Sequence, residues 1–322
     1  MFLMPYLKVV AVMFFWLWQF KGFAQSSMVV TDNALIPEGI AINPKNGDVF
    51  VSSIAKKKII RISPGGEVVD FIAGDSSFLE GLGMKVDRDR NILWALSNIR
   101  QGKWFTSRIH GYDLGSRKSK YYYSYKDTLP HLLNDLILDK NGDLIITDTY
   151  SSTIYRFFPA TQKLEAIINS PRLKWPNGLA FGKNERLYLA TYGTGILQVD
   201  LDSKNIQTIS GFKDSLIAYG LDGLVYEKGK LYGVYNADTA KTSHAVVVYT
   251  LDEEKPSVVS EVLLDKGNPD FFDPTTAALY KNRLYVIANS HLDEYNKNKE
   301  STKGIEHSLR PMKILVYEIG GE

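Results

Sequence analysis

A three-strand unit recurs along this 322-residue chain and constrains its fold more than any other feature. In its clearest copy, residues 134–157, a polar pair is followed by an apolar strand, the turn Lys140-Asn-Gly-Asp143, a second strand, a polar loop and a third strand. The Asn-Gly step favours a hairpin because these residues accept the positive φ angles of a tight turn. Five further copies align with it at intervals of roughly 40 to 55 residues, the spacing of propeller-type repeats.

Six units of this length, with three or four strands each and almost no helical periodicity, predict an all-β, six-bladed β-propeller. The first five repeats each supply a fourth, outer strand, whereas the sixth ends at Glu322 after its third strand. We expect the segment Ser27–Thr31, at the start of the mature chain, to close the last blade and so remove a free sheet edge.

The first residues of the chain predict a secretory signal peptide over residues 1–24. A lysine precedes the apolar run Val9–Phe20, and small residues stand at Gly22 and Ala24. The apolar run is too short for an ordinary membrane-spanning helix. We therefore expect an exported protein, periplasmic or secreted, with a single domain over residues 25–322 and no membrane association after cleavage.

The composition argues against nucleic-acid binding and against disulfides. Removing residues 1–24 takes away two lysines and no acidic residue, so the formal net charge falls from +2 to zero. A nucleic-acid partner usually requires a basic excess, and none is expected here. The chain has no cysteine, which excludes disulfides and thiolate metal sites. A small molecule is the expected partner, and the sequence leaves the oligomeric state open.

The residues that begin the repeats form the candidate site. In a propeller the first strand of each blade lines the central channel, so these residues meet at one end of it, which we name the upper mouth. Carboxylates that face each other there repel unless a cation lies between them. The alternative interpretation is a water-filled mouth lined by polar groups. The six residues are Glu38, Glu80, Asn134, Asn177, Asp222 and Thr275.

The chemistry of these side chains predicts one divalent cation. Glu38 and Asp222 supply two negative charges, and Asn134 and Asn177 supply neutral carbonyl oxygens. Hard oxygen ligands without cysteine or histidine favour Ca²⁺, with Mg²⁺, Mn²⁺ or Zn²⁺ as alternatives. Glu80 is open to several roles: a weak ligand, a group behind the ligands or an acid at the rim.

Four short motifs at the repeat starts carry a resemblance to a known family. They are Pro37-Glu-Gly39, Asn134-Asp135, Pro176-Asn-Gly-Leu-Ala180 and Asp222-Gly223. In this order and spacing they resemble the senescence marker protein (regucalcin)/gluconolactonase family, over nearly the whole mature chain. The resemblance implies a divalent metal held by the residues here numbered Glu38, Asn177 and Asp222, with Asn134 at the metal and substrate. The more distant paraoxonases share the six-blade plan and a calcium site of similar make-up.

One position departs from the pattern of the family that the chain resembles. Sugar-lactonase members typically carry an arginine two residues before the earlier asparagine, where it contacts substrate hydroxyls. Here that position is Leu132, preceded by His131. The resemblance therefore implies a retained metal site combined with altered recognition of the substrate.

Metal-dependent hydrolysis of a lactone or related ester is the predicted function. The cation would polarise the carbonyl and stabilise the oxyanion that forms when water attacks. Asp222 is the first candidate for the general base, and His131 and His291 are alternatives on the same face. The competing hypothesis is a non-catalytic propeller that binds a small ligand or a protein, like the NHL-type repeats that these blades also resemble.

Two long insertions are expected on the upper face, at residues 99–106 in blade two and 292–312 in blade six. They are either ordinary solvated loops or a rim or lid over a pocket. Aromatic residues near the upper-face loops favour a substrate with an apolar portion. The predicted substrate-binding residues are Asn134, Glu80, Trp104, Tyr150 and Tyr192.

Overall fold

The computed structural model describes residues 26–32, 34–74, 77–238, 241–252, 254–298 and 309–319. These residues form six four-stranded antiparallel sheets. Contacts between the inner strands of successive sheets, and between those of the last and first, arrange the sheets as a closed ring. The prediction of an all-β, six-bladed β-propeller is confirmed. The predicted signal peptide lies outside the described residues.

Blades one to five are each a run of four consecutive strands, ordered from the channel outwards. One strand, β1 (Ser26–Val30), precedes the first blade. Blades one to three contain β2 (Pro37–Ile42), β3 (Val49–Ser53), β4 (Ile59–Ile62), β5 (Val68–Ile72), β6 (Glu80–Asp87), β7 (Ile92–Gln101), β8 (Trp104–Asp113), β9 (Ser119–Asp127), β10 (Leu133–Leu138), β11 (Leu144–Asp148), β12 (Thr153–Phe158) and β13 (Lys163–Asn169). Blades four to six contain β14 (Pro176–Phe181), β15 (Leu187–Thr191), β16 (Gly195–Val199), β17 (Ile206–Thr208), β18 (Leu221–Glu227), β19 (Lys230–Tyr235), β20 (Ala245–Leu251), β21 (Val258–Lys266), β22 (Ala277–Tyr280), β23 (Arg283–Ile287) and β24 (Met312–Glu318).

Helical structure is confined to the connections. Within the described residues it consists of α1 (Ser215–Ala218), α2 (Leu292–Asn298) and a 3₁₀ turn at Lys183–Glu185. In this part of the chain, no helix is both long enough and apolar enough to cross a membrane.

The outermost position of blade six is taken by the start of the chain. β1 pairs antiparallel with β24, from Ser26 opposite Val316 to Val30 opposite Met312. The sixth sheet therefore has the order β1-β24-β23-β22 and contains both ends of the described chain. This pairing covers the edge that β24 would otherwise expose.

The inner strands of blades one to five share an irregularity at their upper ends. In each of them two residues lie opposite one residue of the neighbouring strand, which is the pattern of a β-bulge. Bulges of this kind redirect side chains, and they are frequent beside functional sites. The bulged pairs are Glu38-Gly39, Leu82-Gly83, Asn134-Asp135, Asn177-Gly178 and Asp222-Gly223.

The second residue of the bulge is glycine in four of these blades because the backbone of the next blade lies against it. A Cβ atom on Gly39 would lie 2.1 Å from the carbonyl oxygen of Leu82, and one on Gly83 would lie 2.6 Å from that of Asn134. No side chain fits in such a gap without movement of the backbone. Close contact between adjacent bulges therefore brings the first bulge residues together at the upper mouth.

Apolar side chains fill the spaces between neighbouring blades. Trp94 on β7, for example, is fully buried and packs against Phe157 on β12, with ring centroids 6.0 Å apart. Because both faces of a blade are covered, its middle strands are apolar at successive positions rather than at alternate ones, as in residues 92–96. This packing makes the ring rigid enough to hold the polar groups of the channel.

Candidate functional site

The upper mouth of the channel opens into a cavity of about 970 Å³. All six residues predicted from the repeat starts line it, although their sequence positions span more than two hundred residues. Glu38, Asn134, Asn177 and Asp222 are all buried, with at most 7% of their surface exposed. Thr275 is fully buried, and its hydroxyl donates to the Glu38 carbonyl oxygen (3.0 Å), which joins blade six to blade one.

Four buried oxygen atoms at this mouth have no hydrogen-bond partner among the described residues. They belong to the four residues predicted as metal ligands: Glu38 Oε2, Asn134 Oδ1, Asn177 Oδ1 and Asp222 Oδ1. A buried acceptor without a donor costs about 1–3 kcal/mol, so four together are unfavourable unless something binds them. Two carboxylate and two amide oxygens left free in this way form an oxygen-only ligand set.

The orientation of Asp222 is fixed by a short chain of hydrogen bonds. Asn236 Nδ2 donates to Asp222 Oδ2 (2.7 Å) and to the carbonyl oxygen of Pro274 (2.9 Å). Tyr192 donates its hydroxyl to Asn236 Oδ1 (2.6 Å), which determines which way the Asn236 amide faces. Asp222 Oδ1 is therefore left as the free oxygen. Tyr192, predicted to bind substrate, both lines the cavity and supports Asp222.

Hydrogen bonds also fix the orientation of the Asn134 amide. Thr149 Oγ1 donates its single proton to the Pro176 carbonyl oxygen (2.7 Å), so it acts as an acceptor towards Asn134. The Asn134 Nδ2 atom donates to it at 2.8 Å. The Asn134 Oδ1 atom consequently turns away from Thr149 and remains free, as a metal ligand requires.

The electrostatics of the mouth favour a bound cation. Burial raises the pKa of Glu38 well above its usual value, and the nearby charges of Asp222 and Asp135 raise it further. Burial also raises the pKa of Asp222 to about 6, although the hydrogen bond from Asn236 acts in the opposite direction. Both pKa values are raised because the negative form of each carboxylate is buried without a positive charge beside it. A divalent cation would stabilise that negative form.

The residues at the mouth therefore fit a hard divalent cation. Carboxylate and amide oxygens are the ligands that Ca²⁺ prefers, and Mg²⁺ or Mn²⁺ accepts the same atoms. The described residues contain no group of three or more histidine, cysteine, aspartate or glutamate side chains that could hold a metal. The candidate ligand set contains two asparagines as well as two acids, which is why the repeat pattern was needed to find it.

Glu80 does not occupy the position predicted for it. The bulge of blade two places Leu82, not Glu80, in register with Glu38 and Asn134. Glu80 lies two residues earlier on β6, where it lines the cavity as an acid at the rim. The motif Leu79-Glu-Gly81 imitates Pro37-Glu-Gly39 in sequence, so the alignment of the repeats was wrong by two residues in this blade.

His131 lines the cavity, but both of its ring nitrogens are engaged. Its Nδ1 lies 2.7 Å from Asp148 Oδ2, and its Nε2 lies 3.0 Å from the Tyr125 hydroxyl. Asp148 is fully buried and also accepts the backbone N–H of Leu132. His131 would have to break the contact with Tyr125 before Nε2 could act as a base. Sequence reasoning missed Asp148, because it ends a strand far from any repeat start.

His291 follows the second strand of blade six as predicted, but its ring is not among the groups that line the cavity. Its Nε2 accepts the backbone N–H of Arg310 (3.2 Å), and its ring packs against Phe272, with centroids 4.5 Å apart. Burial lowers the pKa of His291. The geometry therefore does not support His291 as the base.

The insertion in blade two is not a loop. It extends the hairpin of β7 and β8 to ten residues on each side, with a turn around Gly102. Arg100 and Phe105, which are paired across this hairpin, line the cavity. Trp104 is not among the residues that line the cavity, and Lys126 Nζ lies 4.9 Å from the centre of its ring. The geometry therefore does not support Trp104 as a substrate-binding residue.

The cavity has one apolar side. Leu82 belongs to a buried cluster with Ile36, Ile54 and Leu309, and Leu132 and Leu292 pack against that cluster. Leu132, which stands where the resembled sugar lactonases have arginine, is thus part of an apolar wall. Other apolar or aromatic residues that line the cavity are Ile99, Phe105, Pro130, Tyr150 and Trp175.

The opposite side of the cavity is polar and comes from blades five and six. Asp273, Ser290 and the start of α2, at Asp293 and Asn296, contribute to it. Asp273 is held by Lys241, whose Nζ lies 2.9 Å from its carboxylate. The described part of the predicted insertion 292–312 therefore begins as a helix at the rim of the cavity, and residues 299–308 lie outside the described residues.

The comparisons with known proteins identify the fold. No protein-family description and no curated protein matches the sequence. Among solved structures, a gluconolactonase from Xanthomonas campestris is similar over 90% of this chain and 89% of its own, with 15% identity and a TM-score of 0.61. The chain shares the six-bladed fold of gluconolactonases.

Proteins of other chemistry share the fold as well. The PQQ-bound aldose sugar dehydrogenase from Streptomyces coelicolor covers 92% of this chain and 99% of its own, at 15% identity and a TM-score of 0.57. A virginiamycin B lyase from Staphylococcus aureus covers 82% and 81%, at 14% identity and a TM-score of 0.55. At these identities the likeness is one of fold, so the function has to be argued from the site.

Proposed function

We propose that this protein is a metal-dependent hydrolase of lactones or related esters. The supporting observation is the set of four unpartnered oxygens on Glu38, Asn134, Asn177 and Asp222, which face the floor of one cavity. Such a set fits Ca²⁺ best among the common cations. The fold likeness to a gluconolactonase is consistent with this chemistry, although the same fold also serves a dehydrogenase and a lyase.

The residues at the upper mouth would have different roles in the reaction. A divalent cation bound there supplies a Lewis acid that polarises the substrate carbonyl and stabilises negative charge on its oxygen. The Asp222 carboxylate, which a bound cation would keep ionised, can take a proton from the attacking water. The proton then passes to the alkoxide that leaves when the ring C–O bond breaks. Asn236 keeps Asp222 in position throughout.

The walls of the cavity suggest which acyl group is accepted. Leu132, Leu82 and Ile54 present apolar surface beside the candidate metal ligands, where a sugar ring would need donors and acceptors for its hydroxyls. Phe105 and Tyr150 extend that surface towards the rim. We infer that aliphatic or aryl lactones and esters are better substrates than sugar lactones.

A panel of lactones tests the proposal. The protein is stripped of metal with a chelator, reloaded with Ca²⁺, Mg²⁺, Mn²⁺ or Zn²⁺ and assayed against aliphatic, aryl and sugar lactones. We expect hydrolysis of the apolar members with at least one metal, and its loss on chelation. The Asp222→Asn variant is the matched control, because asparagine fills the same space without the charge.

The competing function, a non-catalytic propeller that binds a ligand, predicts a different outcome. Metal-loaded protein would then hydrolyse no member of the panel, while small molecules with apolar groups could still raise its melting temperature. If hydrolysis persists in the metal-free protein and in Asp222→Asn, the proposed chemistry is wrong.

A further inference from the structure

A second cavity, of about 250 Å³, is lined by the part of the inner strands that follows the candidate ligand residues, and we name this end of the channel the lower mouth. The described residues that line this lower cavity are mostly apolar, and they come from the inner strands of the blades. Two of the lining residues are charged, Lys85 on β6 and Asp135 on β10. Neither has a role in the chemistry proposed above, and burying charges without a purpose is costly.

Asp135 breaks the pattern of the bulges. At the second bulge position Gly39, Gly83, Gly178 and Gly223 stand in four blades, and Asp135 stands in blade three. Its carboxylate occupies space that only a glycine at position 83 leaves open, since a Cβ there would lie 2.6 Å from Asp135 Oδ1. The structure therefore places a carboxylate next to the candidate ligand Asn134 in the bulge, at a position where the four other bulged blades have glycine.

Asp135 interacts electrostatically in both directions along the channel. Its charge contributes to raising the pKa of both Glu38 and Asp222 above it. The positive charge of Lys85 acts on Asp135 to lower its pKa, although burial dominates and raises it to about 6. The two side chains form no direct ion pair, so Lys85 acts through space within the channel.

We propose that Lys85 and Asp135 form a counter-charge pair that tunes the upper mouth to a single divalent cation. This inference rests on the metal site of the proposed function. Asp135 adds one negative charge next to the candidate ligand Asn134, and Lys85 adds one positive charge in the same lower cavity, so together they leave the two negative charges of Glu38 and Asp222 unchanged. Lys85 and Asp135 would then be positioning residues: they set affinity and charge selectivity without touching the metal or the substrate.

A double-mutant cycle on metal affinity tests the proposal. Ca²⁺ binding is measured by calorimetry at neutral pH for the full chain and for Asp135→Asn, Lys85→Met and the double variant. We expect Asp135→Asn to weaken binding about tenfold and Lys85→Met to strengthen it about tenfold, because each removes one unit charge near the cation. The double variant restores the original charge and should bind within about threefold of the parent.

Two further variants and one further ion separate charge from structure. Lys85→Arg keeps the charge and should bind Ca²⁺ like the parent, even if its larger side chain lowers the melting temperature. In Lys85→Met, the affinity for Tb³⁺, measured by its luminescence, should rise more than the affinity for Ca²⁺. The reason is that removing the lysine leaves one more negative charge in the channel without a counter-charge. Circular dichroism confirms that each variant is folded.

The outcomes distinguish this inference from the proposed function. If the parent binds Ca²⁺ but the two single variants leave its affinity unchanged, or change it in the same direction, the counter-charge pair is wrong and the metal site stands. If the parent binds no metal at all, both the metal site and the pair are wrong. Opposite shifts that cancel in the double variant are the result that we expect.

Discussion

The two ends of the central channel are built from the same six inner strands, yet they differ in their polar groups. At the upper mouth, four buried oxygens lack hydrogen-bond partners among the described residues. At the lower mouth most lining residues are apolar, and Lys85 and Asp135 are the charged residues among them. Only a few residues of each strand separate the two. The upper mouth therefore carries a set of free oxygens that packing alone does not explain, and this set is the reason for proposing it as the functional end.

The largest expected effect comes from removing the charge of Asp222 at the upper mouth. We expect Asp222→Asn to lower kcat/KM for the best lactone about 100- to 1,000-fold, because it removes both a metal ligand and the candidate base. Steady-state kinetics with the metal in excess checks this. Glu80→Gln is the matched control at the rim and should change kcat/KM less than about threefold. Equal losses of kcat/KM in the two variants would mean that Glu80 at the rim matters as much for the reaction as Asp222.

A somewhat smaller effect is expected for Asn236, which supports the candidate ligand Asp222. Asn236→Ala removes the donor that holds Asp222 Oδ2 and leaves the Asp222 carboxylate free to turn. Outer hydrogen-bond partners of metal ligands typically contribute 10- to 100-fold in affinity, and we expect a loss of about that size. Calorimetric titration with Ca²⁺ measures it. An unchanged affinity would show that Asp222 is positioned by the backbone alone.

The apolar wall can be tested by restoring the residue found in the resembled sugar lactonases. In Leu132→Arg we expect the ratio of kcat/KM for apolar over sugar lactones to fall about tenfold, because the arginine removes apolar surface and offers donors to hydroxyls. Leu132→Met, which preserves the apolar character, is the control. If the ratio is the same in all three proteins, Leu132 does not contribute to specificity.

The smallest effect on the site is expected from the apolar residues that line the lower mouth. Ile42 is buried there on β2, four residues after Glu38. Ile42→Ala should lower the free energy of unfolding by about 2–4 kcal/mol, since it leaves a cavity between blades. It should change Ca²⁺ affinity less than about twofold. Denaturant unfolding measures the loss of stability, and calorimetry on the same protein measures the Ca²⁺ affinity. A large loss of Ca²⁺ affinity would contradict the separation of the two ends.

The fold, and the meeting of the repeat-start residues at one mouth, were predictable because the same unit recurs along the sequence. Polar residues stand at or near the start of several inner strands, and hairpins at regular spacing bring those starts to one axis. The exception, Glu80, shows the limit: the bulge that sets the register of blade two is a backbone feature, and the residues Leu82-Gly83 carry no local sign of it.

The supporting residues were not predictable in the same way. Asn236 and Asp148 follow or end second strands, where the repeat has no fixed chemistry, and their roles arise from distances across the channel. Trp104 was predicted to bind substrate because the insertion of blade two was expected to be a loop, whereas it continues as paired strands and Trp104 does not line the cavity. The unusual placement of Lys85 and Asp135 can be recognised only when the β-bulges of the blades are aligned with one another.

The most direct test of the central claim is the metal content of the upper mouth. The parent protein and the Glu38→Gln/Asp222→Asn variant are stripped with a chelator, dialysed against Ca²⁺ and measured by elemental mass spectrometry, with circular dichroism to confirm folding. We predict one equivalent of Ca²⁺ in the parent and none in the folded variant. Equal metal content in the two proteins, or none in the parent, would contradict a metal site at the upper mouth.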